Sequence, residues 1–98
     1  MDTRQLEYIL TIAEEKNLTR AADRLFLTQS ALSQQLSKLE AEGLPPLFTR
    51  HKGEMQLTDA GKIYINGARS ILKIKGDAQE ALKDLSQAKI HHIHIGVC

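Results

Sequence analysis

Between Ala60 and Ala88 the apolar residues fall four and three apart without a polar interruption: Ala60, Tyr64, Gly67, Ile71, Ile74, Ala78, Ala81, Leu85 and Ala88. A seam of this period predicts a helix that meets a partner helix. Ile65, Ala68, Leu72 and Leu82 widen the stripe on one side. A helix across this run makes a rod of about 45 Å, longer than the core of a 98-residue chain can cover. The plainer alternative is an amphipathic helix folded back on its own core. The alanine-rich seam permits close helix approach, so the expectation is a homodimer through Tyr64, Ile71, Ile74, Ala78 and Leu85.

What precedes the rod must supply a small head. Leu6, Ile9, Leu10 and Ala13 recur at helical spacing and predict a helix over residues 3–15, with Asp2 or Thr3 as cap. Asn17 or Thr19 can cap a second helix that packs through Ala21, Ala22 and Leu25, and Phe26-Leu27 makes a corner. Thr28 then caps a third helix with Leu32, Leu36 and Leu39 inward. Gly43 ends it near Glu42, and Pro45-Pro46 prevents it from resuming. Two short strand-like pieces, Leu47–Arg50 and Met55–Leu57, flank a turn centred on Lys52-Gly53 and predict a β-hairpin. Thr58 caps the long helix, with Asp59 favourable in its first turn. The expected fold class is therefore mainly α: three helices, a hairpin and a long helix. After it, Ile93, Ile95 and Val97 alternate as a strand would, with no sheet in this chain to join.

Composition narrows the function classes. The single cysteine, Cys98, excludes an intramolecular disulfide framework and points to a reducing compartment. No apolar run approaches the ~20 residues of a membrane span, and "MDTRQLEY" lacks the apolar core of a signal peptide. A cytoplasmic protein without a membrane partner is expected. No phosphate-cradling glycine loop is present, and Cys98 has no organised base in view. His91, His92 and His94 lack the further ligands that a metal site needs. No enzyme activity, cofactor or metal is expected.

The stretch "TRAADRLFLTQSALSQQL", Thr19 to Leu36, carries the chemistry. Two helices joined by a short turn make a helix-turn-helix, whose second helix can lie in the major groove of DNA. Such a helix needs short or amide side chains in its first turns, because base edges there display donors and acceptors. The third helix offers Gln29, Ser30, Ser33, Gln34 and Gln35. Thr28 and the free N–H groups beside it can meet a phosphate. Net charge is only +1, but Lys16, Arg20, Arg24 and Lys38 face a single acid, Asp23, within one window. A reading from another class is a helical protein-interaction module, in which the rod recruits partners and the head is a cap.

The blocks "LEYILTIAEEKNLTRAADRLFLTQSALSQQLSKLEAE", "PLFTR" and "LTDAG" resemble the N-terminal domain of LysR-type transcriptional regulators. The resemblance implies a winged helix-turn-helix over residues 1–57 and a dimerising linker helix over 58–89. It also implies that residues 90–98 begin an effector-binding domain otherwise missing, so that the chain is a fragment. Sequence-specific double-stranded DNA binding at an inverted-repeat operator is implied, as a dimer or a tetramer of the full-length protein. A small-molecule effector would bind only through the missing domain. The matching DNA-facing positions are Gln29, Ser30, Ser33 and Gln34, with Thr19, Arg20, Thr28, Lys38 and Arg50 on the backbone. This chain departs from many members in carrying Gln34 where they carry an arginine.

Overall fold

The computed structural model describes residues 2–91 of the chain. The Asp2 carboxylate caps α1 (Thr3–Glu15) by accepting the Arg4 N–H at 3.0 Å. Lys16 ends that helix in the left-handed conformation, φ 58°. Its carbonyl accepts the Met55 N–H at 2.9 Å, which ties the end of α1 to the hairpin. Asn17, rather than Thr19, caps α2 (Leu18–Arg24), its side chain accepting the Arg20 N–H at 2.9 Å. The corner closes through Leu27 N–H to Ala22 O at 2.8 Å, with Phe26 at φ 58°. Thr28 accepts the Ala31 N–H and starts α3 (Gln29–Glu40). That helix stops two residues before the expected end at Glu42. The Glu42 N–H bonds back to Leu39 O, which tightens the last turn before Gly43.

The hairpin pairs β1 (Phe48–His51) with β2 (Glu54–Leu57) in antiparallel register, Phe48 opposite Leu57 and Arg50 opposite Met55. Lys52 and Gly53 both have positive φ, 52° and 80°. Two such residues in a two-residue loop make the turn whose twist suits paired strands. β1 begins at Phe48 rather than Leu47, and His51 rather than Arg50 closes it.

α4 (Asp59–His91) is a single helix of 33 residues, and it takes in Ile90 and His91, two residues past the expected end at residue 89. His92, Ile93, His94, Ile95, Val97 and Cys98 lie outside the described residues. Its start is fastened at one place. The Thr58 hydroxyl donates to Pro46 O at 2.6 Å and accepts the Gly61 N–H at 3.0 Å, while the Thr58 N–H reaches Leu47 O at 3.0 Å. The helix passes so close to this loop that a Cβ on Gly61 would fall on the Leu47 carbonyl oxygen. The same Cβ would come within 2.8 Å of Leu57 Cδ2.

One core unites these elements: Leu6, Ile9 and Ile12 of α1, Ala21 and Ala22 of α2, Leu32, Leu36 and Leu39 of α3. Leu47, Phe48 and Met55 close it from the hairpin, and Tyr64, Ile65 and Ala68 close it from α4. The long helix therefore carries two apolar stripes. Ile65, Ala68 and Leu72 face the core, and the seam splits between roles. Tyr64, expected at a partner helix, is buried against its own chain, whereas Ile74 and Leu85 are 69% and 64% exposed. Burial pushes the Tyr64 phenol up, with the Glu42 carboxylate adding to the shift. The hydroxyl finds no hydrogen-bond partner among the described residues.

The close approach at Gly61 gives a direct test. Gly61→Ala should cost about 1–3 kcal/mol by overpacking, despite alanine's better helix propensity. Gly76, with open space around it, should gain up to ~1 kcal/mol on the same change. Urea denaturation at matched protein concentration measures both; equal effects would contradict the steric account.

Candidate nucleic-acid interface

The candidate surface is built by two caps and a corner. Asn17 starts α2 and Thr28 starts α3, so both helices begin with their free N–H groups at defined places. The corner then brings the two starts together: the Thr19 hydroxyl donates to Gln29 Oε1 at 3.4 Å. That contact lies between exposed side chains and is long, so it orients rather than stabilises. It leaves the Gln29 amide N–H groups and one carbonyl lone pair pointing away from the core. The Thr28 oxygen is used as a cap acceptor, but its O–H remains free to donate.

Along α3 the buried row is Leu32, Leu36 and Leu39. The opposite row is Ser30, Gln34 and Ser37, all exposed at four- and three-residue spacing. Gln29 is exposed at the head of the helix and Ser33 is half-buried one turn on. Thr19, Arg20 and Thr28 are exposed beside them. The expected residues thus come together, apart from two. Lys38 sits on the flank of α3, where it lines a polar cleft with Gln35 and the start of α1. Arg50 is exposed on the hairpin, on the same strand face as Met55 and Phe48.

The basic window is weaker than its sequence suggests. Arg24 is held by two carboxylates, Glu14 at 2.8 Å and Glu15 at 3.1 Å, which raise its pKa, Glu14 first. Its charge is taken up in tying α2 to α1. Sequence order hid this, because both partners lie on the preceding helix, outside the window in which the charge is concentrated. Ser37 was also missed, although its spacing from Ser30 and Gln34 is visible in the sequence. The Thr19–Gln29 contact had no sequence signal, since it depends on how the corner folds.

A three-helix head with a corner of this kind and a hairpin hinged at the base of a fourth helix is a winged helix-turn-helix. Residues 3–62 match the bacterial regulatory helix-turn-helix protein, lysR family, and the chain belongs to that family. It is 35% identical over 97 residues to the HTH-type transcriptional regulator BudR of Klebsiella aerogenes, covering 99% of this chain and 68% of BudR. It is 41% identical over 96 residues to the nitrogen assimilation regulatory protein nac of Escherichia coli, covering 98% of this chain and 32% of that protein. A crystal structure of the BenM_DBD/benA site 1 DNA complex superposes with a TM-score of 0.81 at 29% identity, over 88% of this chain and 97% of that one. The chain spans about a third of the length of several curated relatives that it matches.

The Thr19 contact can be tested without any ligand. Thr19→Val should leave stability within about 0.5 kcal/mol and free the Gln29 side chain. Side-chain amide relaxation by NMR should show faster motion at Gln29 Nε2; unchanged motion would mean that the hydroxyl orients nothing.

Proposed function

We propose that this chain binds double-stranded DNA in a sequence-specific way and regulates transcription as a homodimer in the cytoplasm. The observation that carries this reading is the face of α3: Gln29, Ser30, Gln34 and Ser37 exposed, uncharged and set on a capped helix that the corner projects from the head. Amides and hydroxyls facing outward in this way suit base edges, whereas a merely solvated face would carry more charge. The fold likeness to a complex that contains DNA supports the same reading. Thr19, Arg20, Thr28, Lys38 and Arg50 hold the sugar–phosphate backbone, and Thr19 also steadies Gln29.

Residues 1–57 supply the reading surface, and residues 58–89 both close the core and dimerise. The support for dimerisation is the exposed apolar stripe on α4: Ile63, Ile71, Ile74, Leu82 and Leu85. Beside its upper end, Leu44, Pro45 and Leu47 border an apolar groove with Ile63, Tyr64 and Ile71. Such a stripe marks an interface. Two heads on two paired rods call for an inverted-repeat operator with half-sites spaced by helical turns.

Two experiments test the two halves of the proposal. A glutamine amide matches the acceptor and donor on the major-groove edge of adenine, so Gln29→Ala should cost roughly 1–3 kcal/mol at one base position and relax the preference there. Affinity for unrelated duplex should change little. A binding series on operators selected from a random library and varied one base pair at a time reads this out. An unchanged ranking at every position would remove Gln29 from the reading set. Leu85→Lys places a charge on the exposed seam and should give monomers by light scattering with the head still folded. A dimer that survives it would put the interface elsewhere.

A further inference from the structure

Arg4 stands apart from every residue that the sequence singles out, yet it shares a cleft with Lys38. Arg4, Gln5 and Tyr8 of α1, with its cap Asp2, face Gln35 and Lys38 of α3 across a polar depression of about 210 Å³. Its one carboxylate, Asp2, is already engaged as the cap of α1 through the Arg4 N–H. Among the described residues neither Arg4 nor Lys38 has a carboxylate within ion-pair distance, in contrast to Arg24. Two unpaired cations beside one another, with amide and phenol donors between them, favour an anion.

The place of the cleft selects the anion. α1 runs back along α3: its far end leads into α2, whose start meets Gln29, while its own first turns meet Gln35 and Lys38. Gln29 and Ser33 therefore mark one flank of α3, and Gln35 and Lys38 mark the other. A helix with its side chains is about 10–12 Å across, and the major groove is about 12 Å wide. A helix that fills the groove has a sugar–phosphate wall against each flank. Thr19, Arg20 and Thr28 attend to one wall. The hairpin is joined to the opposite end of α1, at Lys16, a helix length of roughly 20 Å from the cleft, which sets the hairpin that carries Arg50 apart from this second flank.

We propose that the Arg4–Lys38 cleft is a phosphate-binding site that grips the DNA backbone on the flank of α3 away from Thr19. Arg4 and Lys38 supply the charge, and Gln5, Gln35 and Tyr8 supply hydrogen-bond donors. The proposal rests on the DNA-reading function above. It adds α1, which contributes nothing to base readout, to the surface that positions the head.

The test is duplex affinity as a function of salt, from about 50 to 200 mM, for the wild-type chain, Arg4→Ala, Arg4→Ala/Lys38→Ala, Arg50→Ala and Lys83→Ala. Lys83, exposed on α4, controls for bulk charge. Arg4 is exposed in the first turn, and thermal melting confirms that each variant folds. The double variant should bind every duplex several-fold more weakly, with a salt slope lower by about one for each phosphate that is no longer neutralised. The ranking of base variants should be unchanged. Arg4→Lys should restore most of the slope. Phosphate ethylation interference should show one backbone position per half-site that matters to the wild type and not to Arg4→Ala. If the double variant keeps the wild-type affinity and slope, or changes no more than Lys83→Ala, while Arg50→Ala is weakened, the cleft is not a phosphate site and the DNA-reading function stands. If the wild type retains no duplex at all, the DNA-reading function fails and the cleft proposal fails with it.

Discussion

The junction of α4 with the loop before the hairpin is the constraint on which the other features depend. Thr58 takes part in four hydrogen bonds there, to Pro46, to Leu47 and, within its own helix, to Gly61 and Lys62. The absence of a side chain on Gly61 lets the helix pass against the Leu47 carbonyl. This fixes the direction in which the helix leaves the head. Because of that direction, Tyr64, Ile65 and Ala68 reach the core between α1 and the hairpin. Without them Leu6, Ile9 and Met55 would lose their cover, and a head of three short helices would bury too little apolar surface to hold.

The same fastening gives α4 its second role. Successive helical residues turn by about 100°, so the stripe of Ile65, Ala68 and Leu72 and the stripe of Gly67, Ile74 and Leu85 lie on different sides of one rod. The first is committed to the head and the second is exposed. A partner helix on the second stripe would then be rigidly coupled to the first. Any rotation of one rod against the other would move the attached reading helix, with no flexible linker to absorb it.

How much of this was legible in the sequence depended on the range of the interaction. Caps are local: Asp2, Thr28 and Thr58 act where the residue type and the following apolar run placed them, and Asn17 is chosen over Thr19 because its carboxamide reaches the Arg20 N–H. The hairpin turn followed from Lys52-Gly53, although the first strand shifted by one residue and the second begins one residue earlier. The seam was legible as a period but not as an assignment. Heptad spacing could not tell that Tyr64 faces its own core, because the competing stripe through Ile65 and Ala68 is set by the junction. Charge was the least legible. Arg24 belongs to a basic window in the sequence, but in the fold it is paired with Glu14 and Glu15. Arg4 and Lys38 are neighbours only because α1 runs back along α3.

This division of labour has an energetic consequence. The outward row of α3 is uncharged, so on the proposed function it would discriminate between bases but attract no phosphate. Attraction would then have to come from the edges of the head, where the exposed cations are Lys16 and Arg20 near the corner, Arg50 and Lys52 on the hairpin, and the Arg4–Lys38 pair on the far flank. Each neutralised phosphate contributes about 0.9 to the salt slope, so a single head with this handful of contacts would hold DNA weakly at moderate salt. Two heads fixed on paired rods would change that balance. Once the first has bound, the second searches only the volume that the rod allows, and its effective concentration rises without any new contact. The apolar seam on α4 is thus the complement of the neutral face on α3. On the proposed function, a reading helix without charge would depend on its twin for affinity, and an isolated half-site would be a poor target.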